Sequence, residues 1–134
     1  MANILVVEDE PSIQIVIRKA LHKIGGYEVF VTEDVEEGLA LTRSGQVQLV
    51  VMDVSLSNSR YANDLIDGLA FTRLLKADSA AHHVPVLLAT AHAMPGDAER
   101  LCAASGADGY IAKPFATPGV LVDKVREMLA AHPA

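Results

Sequence analysis

Short apolar runs of strand length recur five times along the chain, each followed by a longer stretch of helical period, with no low-complexity linker between units. Three of the runs, Ile4-Leu5-Val6-Val7, Leu49-Val50-Val51-Met52 and Val86-Leu87-Leu88-Ala89, carry no polar alternation at all. A strand with one wet face alternates, whereas a strand covered by helices on both faces does not, which is the condition inside a parallel sheet. The pattern predicts βα units, with strands at Ile4 to Val7, Tyr27 to Thr32, Gln48 to Met52, Pro85 to Ala89 and Asp108 to Ala112. Right-handed crossovers wind such units into an open twisted α/β sheet. Ligands then bind beyond the carboxyl ends of the strands, where the strand order reverses.

The intervening stretches carry helix signals. In the first, Ile13, Val16, Ile17, Ala20, Leu21 and Ile24 form one stripe, with Pro11 in the first turn and Gly25-Gly26 as the stop. The second starts in an acidic turn, Glu33-Asp34 and Glu36-Glu37, suited to the positive end of the helix dipole, and stops near Gly45. The third follows Asp67-Gly68 and turns Leu69, Thr72 and Leu75 inward. The fourth carries Ala98, Leu101, Cys102 and Ser105 on one face and closes at Gly106. The fifth takes Thr117 as N-cap and Pro118 at its first position, with Leu121, Val125, Met128 and Leu129 on its stripe.

At 134 residues the chain fits one domain, 1–134, with a core over about 3–130 and a short C-terminal tail. Hydrophobic residues make up 51% but aromatic ones only 4%, so the core is aliphatic. A domain of this size buries roughly two thirds of its extended surface, so it needs no disulfide or structural metal, and the single Cys102 could form no internal bridge. Eleven Lys and Arg against 17 Asp and Glu give a net charge of −6, and no basic cluster exceeds Arg18-Lys19. Direct nucleic-acid binding, which needs a basic stripe, is disfavoured. No run reaches the ~18 apolar residues of a membrane span, and Met1-Ala2-Asn3 enters a strand without a secretory signal. The expected compartment is the cytoplasm.

The residues that end the strands carry the chemistry. Glu8, Asp9 and Glu10 follow the first strand, Asp53 the third and Thr90 the fourth, while Lys113 lies near the end of the fifth. Carboxylates converging from neighbouring strands raise each other's pKa unless a cation is present. Mg2+ suits a small open cluster of oxygens that keeps waters and shares a phosphate, with Mn2+ as its substitute. No His or Cys converges with zinc spacing. A lysine and a hydroxyl beside the cluster can hold phosphoryl oxygens, and attack by Asp53 on phosphorus would give an aspartyl phosphate. Taken alone, Glu8-Asp9-Glu10 reads equally well as a solvated helix start. His82-His83 reads as a solvated pair, Cys102 as a small core residue, and Gly106 and Gly109 as turn or packing glycines.

In their order, these residues resemble the response-regulator receiver domain of two-component signalling, the CheY-like family, over nearly the whole chain. Glu8-Asp9 resemble the acidic pair, Asp53 the phosphoacceptor, Thr90-Ala91 the switch hydroxyl with its small neighbour, Lys113-Pro114-Phe115 the lysine-proline motif, and Tyr110 the aromatic switch. The resemblance implies a doubly wound five-stranded parallel sheet, flavodoxin-like with order 2-1-3-4-5 and five helices. It implies metal ligation by Asp9, Asp53, Glu8 and the backbone carbonyl of Ser55, and a cis peptide before Pro114. The implied function is a switch, not an enzyme: a histidine kinase or phosphotransfer protein phosphorylates Asp53, Thr90 and Tyr110 rearrange, and a surface of helix four, strand five and helix five meets a target protein. Ser55 and His92 would line the path of the hydrolytic water. With no output domain after helix five, output is expected through a partner or by onward relay.

One departure stands out. From Asp53 to Gly68 the chain takes about twice the usual distance to the Asp-Gly step, and the surplus lies in Ser57-Asn58-Ser59-Arg60-Tyr61-Ala62-Asn63-Asp64. It reads as a tolerated surface insertion or as a partner contact or lid. Other functions fit less well. A haloacid-dehalogenase-like phosphatase needs a second acid where Ser55 stands, and three acids after strand one would repel an FMN phosphate. The remaining alternative is a receiver-like module that binds proteins without phosphorylation; its usual symptom, loss of an acid, the acceptor or the lysine, is absent.

Overall fold

The computed structural model describes residues 2–54, 60–61, 64–65, 67–91, 96–113, 115 and 117–132. Five parallel strands, β1 (Asn3–Val7), β2 (Glu28–Thr32), β3 (Leu49–Asp53), β4 (Val86–Thr90) and β5 (Gly109–Ala112), form one sheet in the order β2-β1-β3-β4-β5. The strand order reverses between β1 and β3, which pair from Ile4↔Leu49 to Val7↔Met52. Strands three and four begin and end a residue later than the predicted Gln48 to Met52 and Pro85 to Ala89, so Asp53 and Thr90 are the last residues of β3 and β4. Each is thus held by the ladder and buried.

The alternation missing from the sequence reappears as two cores. Ile4, Val6, Leu49, Val51, Leu87 and Ala89 face one side, where they meet Ile17, Ala20 and Leu21 of the first helix and Leu121, Val122, Val125 and Met128 of the last. Their neighbours Leu5, Val7, Val50, Met52 and Leu88 face the other, against Val35, Leu39, Phe71 and Leu75. Both faces are dry, which is why the strands are apolar at every position.

The helices are α1 (Pro11–Lys19), α2 (Val35–Arg43), α3 (Gly68–Ala77), α4 (Asp97–Ser105) and α5 (Pro118–Ala131). The first continues into a π-helical turn over Ala20–Ile24. That turn corrects the expected stripe: the looser i→i+5 winding carries Ile24 off the inward face, and it is exposed, as is Val16 at the stripe's edge. The N-cap of α2 is Asp34, whose carboxylate accepts from the amides of Glu36 and Glu37. Thr117 occupies the N-cap position of α5, but its side chain makes no capping hydrogen bond. Gly106 ends α4 at φ 83°, a conformation that favours glycine. A short antiparallel ladder pairs Arg60–Tyr61 with Asp64–Leu65 inside the expected surplus segment and lies against α2. Ser57, Asn58, Ser59, Ala62 and Asn63 lie outside the described residues.

Candidate functional site

The chain leaves β1 at Val7, and the next two residues turn over the sheet edge. The amide of Glu8 donates to the carbonyl of Thr32 on β2 at 3.1 Å, which places Glu8 over the strands. Its own carbonyl accepts from Nε2 of Gln14 at 2.5 Å, so the first helix grips the turn it follows. The carboxylates of Glu8, Asp9 and Asp53 then converge, each offering one oxygen within 4.8 Å of the others. Glu8 and Asp53 are buried, while Asp9 is half-buried. Glu10 is exposed and stands apart from this cluster.

Lys113 reaches across from the end of β5. Its Nζ donates to Asp53 Oδ1 at 2.8 Å and lies 3.5 Å from Glu8 Oε1. Its backbone amide donates to the carbonyl of Thr90 at 2.8 Å, so the lysine and the hydroxyl are tied to each other through the sheet. Among the described residues the cluster of three carboxylates meets the ammonium of Lys113. Burial raises the pKa of Glu8 first, then its hydrogen bond with Asp53 and the Asp53 charge, with Lys113 pulling the other way; the result is about 8. Burial disfavours the charge on Lys113, yet its hydrogen bond to Asp53 and the nearby charges of Asp53 and Glu8 outweigh that and hold its pKa above the ordinary value.

Tyr110 lies on β5 with its ring turned to solvent, and its hydroxyl donates to Glu99 Oε1 on α4 at 2.9 Å. Glu99 pushes the phenol pKa up by accepting that hydrogen bond and by its charge. Beside the carboxylate cluster, Glu10, Ile13, Val16, Ala91, Lys113, Phe115 and Pro118 line a cavity of about 470 Å³. Ser55, His92 and Pro114, and with them the expected carbonyl ligand, the water path and the cis peptide, lie outside the described residues.

Residues 4–126 match the family model described as the response regulator receiver domain. The chain belongs to the response-regulator receiver family. The polar-differentiation response regulator DivK of Brucella anthropi is 34% identical over 116 residues, 87% of this chain and 87% of DivK. The chemotaxis protein CheY4 of Vibrio cholerae superposes with a TM-score of 0.78 at 27% identity, over 95% of this chain and 98% of CheY4. The receiver domain of the sensor histidine kinase PA1611 of Pseudomonas aeruginosa, solved with a magnesium ion coordinated in its active-site cleft, superposes with a TM-score of 0.74 at 28% identity, over 98% of this chain and 96% of that one. The fold of this receiver is the flavodoxin-like one its sequence implied, with the strands in the implied order.

Of the sequence-predicted site residues in this receiver, Glu8, Asp9, Asp53 and Lys113 come together at the strand ends. Thr90 ends the neighbouring strand, buried, while Tyr110 faces away on the edge. Two contributors were not singled out beforehand. Gln14 was legible only as a polar residue in the first turn of an apolar helix, and Glu99 only as one acid among several on α4. No helix among the described residues is long and apolar enough to cross a membrane.

Proposed function

We propose that this receiver is a phosphoacceptor switch in which Asp53 takes a phosphoryl group from the phosphohistidine of a histidine kinase or phosphotransfer protein. One observation carries the reading: the buried Asp53 carboxylate is hydrogen-bonded to the Lys113 ammonium inside a cluster of three acids. A carboxylate oxygen of Asp53 forms the new O–P bond as the P–N bond breaks, and the imidazole leaves with a proton. Transfer of this kind depends on positioning and on neutralising charge around the phosphorus. Lys113 supplies one donor to a phosphoryl oxygen, and the Thr90 hydroxyl supplies another.

The donor set fits a hard divalent cation: three carboxylates, one of them kept protonated near neutral pH chiefly by burial and then by Asp53, and no nitrogen or sulfur ligand among them. Asp9, Asp53 and Glu8, with the Ser55 carbonyl, would hold Mg2+ or Mn2+. Bound there, the ion would neutralise the acids and the charge on the phosphoryl oxygens.

The phosphoryl group then biases a two-state element. Thr90 moves to the phosphoryl oxygen and Tyr110 leaves Glu99 to turn inward, altering the α4, β5 and α5 surface that a target protein reads. Hydrolysis of the acyl phosphate resets the switch. The setting is cytoplasmic, where the kinase has its phosphodonor.

The test is direct. The protein is mixed with a small acyl phosphate, with and without Mg2+, and weighed intact. A single Mg2+-dependent phosphoryl adduct, absent from Asp53→Asn, is expected. No adduct in either condition leaves a phosphorylation-independent binding module instead.

A further inference from the structure

We propose that Gly68 is a positioning residue for the phosphoacceptor: it lets the start of α3 lie directly on the main-chain carbonyl of Asp53. This rests on the reading of Asp53 as acceptor. A Cβ added at Gly68 would come within 1.9 Å of the Asp53 carbonyl oxygen and 2.8 Å of its carbon, an overlap with backbone that no side-chain movement can relieve. Its φ lies outside the left-handed region, so space and not backbone conformation demands glycine here.

Neither partner in this contact can retreat. On the strand side, Asp53 pairs with Ala89, and the amide of Val54 donates to the Ala89 carbonyl at 3.1 Å. On the helix side, Asp67 caps the amide of Ala70 at 2.8 Å, the Thr72 hydroxyl donates to the Gly68 carbonyl at 2.7 Å, and Phe71 is fully buried. The amide of Gly68 also donates to the carbonyl of Val54 at 3.2 Å. That bond closes the base of segment 55–67, so the chain re-enters beside the acceptor whatever the length between. A side chain at 68 therefore shifts the Asp53 backbone, and with it one carboxylate of the cluster.

The experiment compares Gly68→Ala with Gly109→Ala, at the start of β5, whose added Cβ would press on Met128 Sδ at 3.0 Å at the opposite end of the sheet from the acceptor. Adduct formation from a small acyl phosphate and Mg2+ binding are both measured. For Gly68→Ala a rate lower by about 10²-fold is expected, as for a misplacement of about 1 Å, together with weaker Mg2+ binding. Gly109→Ala should keep both values whatever its melting temperature does. Should Gly68→Ala not fold, Asp67→Ala, which loosens the start of α3 without adding a Cβ, is expected to lower both values less severely. Wild-type values in a folded Gly68→Ala, or in Asp67→Ala where the first does not fold, overturn the proposal, as does an equal loss of rate in Gly109→Ala. If the wild type forms no adduct, the acceptor reading fails, and the Mg2+ titration still decides the role of Gly68.

Discussion

Lys113 Nζ stands 2.8 Å from Asp53 Oδ1 and 3.5 Å from Glu8 Oε1, so a single ammonium is shared unequally between two buried carboxylates. The shorter contact goes to the proposed acceptor. On the proposed reading that inequality separates two roles: Lys113 would meet phosphoryl oxygens on Asp53, and it would compete with a metal ion for the same acids. Lys113→Met should therefore slow adduct formation by about 10²–10³-fold, the usual loss of one preorganised donor. Mg2+ binding should survive or tighten, because a resident cation has gone. Isothermal titration of Mg2+ into the variant checks this, and a lost or much weaker binding isotherm would contradict the assignment.

The Glu8 carboxyl gives a pH dependence of definite sign. Its pKa is about 8 in the folded protein against an ordinary 4.5, so the folded state holds this proton more tightly than the unfolded state does. The stabilisation is fully present below 4.5 and is lost as pH rises to about 8. In EDTA the melting temperature should fall across that window. Glu8→Gln should flatten the profile, and Mg2+ should raise the wild-type melting temperature most at the alkaline end, where it displaces no proton. Asp78, which Arg43 holds below the ordinary carboxylate value by a hydrogen bond, acts only at the acid end, and its contribution is lost as pH falls. A wild-type profile as flat as that of Glu8→Gln would refute the coupling.

The five strands were legible because their apolar runs are short, three of them unbroken, and the candidate site because its members come one after another at strand ends. Contacts that depend on winding or on free space were not. Ile24 sits at a perfect helical interval from Ile17, and only the π turn explains why it faces water. Gly68 reads as half of an Asp-Gly turn; that it touches the Asp53 carbonyl depends on where a long segment returns. Phe71 carries no mark in the sequence beyond its place between Leu69 and Thr72, yet it is the largest fully buried side chain among the described residues. In the same way Thr117 had the identity of a cap without its hydrogen bond.

Tyr110 offers an optical handle, since the chain has three tyrosines and no tryptophan. Its hydrogen bond to Glu99 pushes its phenol pKa above 10. Glu99→Ala removes both the acceptor and the charge, so the Tyr110 component of the ultraviolet absorbance titration should return to the ordinary range. Because the outward ring has then lost its partner, the inward state should be more populated before phosphorylation, read as stronger binding of a target protein to the unphosphorylated chain. An absorbance titration identical to the wild type would show that Glu99 does not hold the ring.

The far end of the sheet gives the complementary case of a lysine that serves the fold alone. Lys76 Nζ spends its donors on the carbonyls of His82 at 3.2 Å and Val84 at 2.9 Å and on Asp108 Oδ2 at 2.7 Å. The same Asp108 oxygen accepts from the amide of Val86 at 2.8 Å, so this network joins α3 to the starts of β4 and β5. Lys76→Met takes the ammonium from the His82 and Val84 carbonyls and from Asp108, which keeps the Val86 amide, and should cost about 1–3 kcal/mol in urea unfolding followed by circular dichroism. The Mg2+-dependent adduct should form at the wild-type rate, since every atom of the acceptor site lies at the opposite end of the strands. A drop in that rate in the folded variant would mean that the two ends are coupled through β4 and β5.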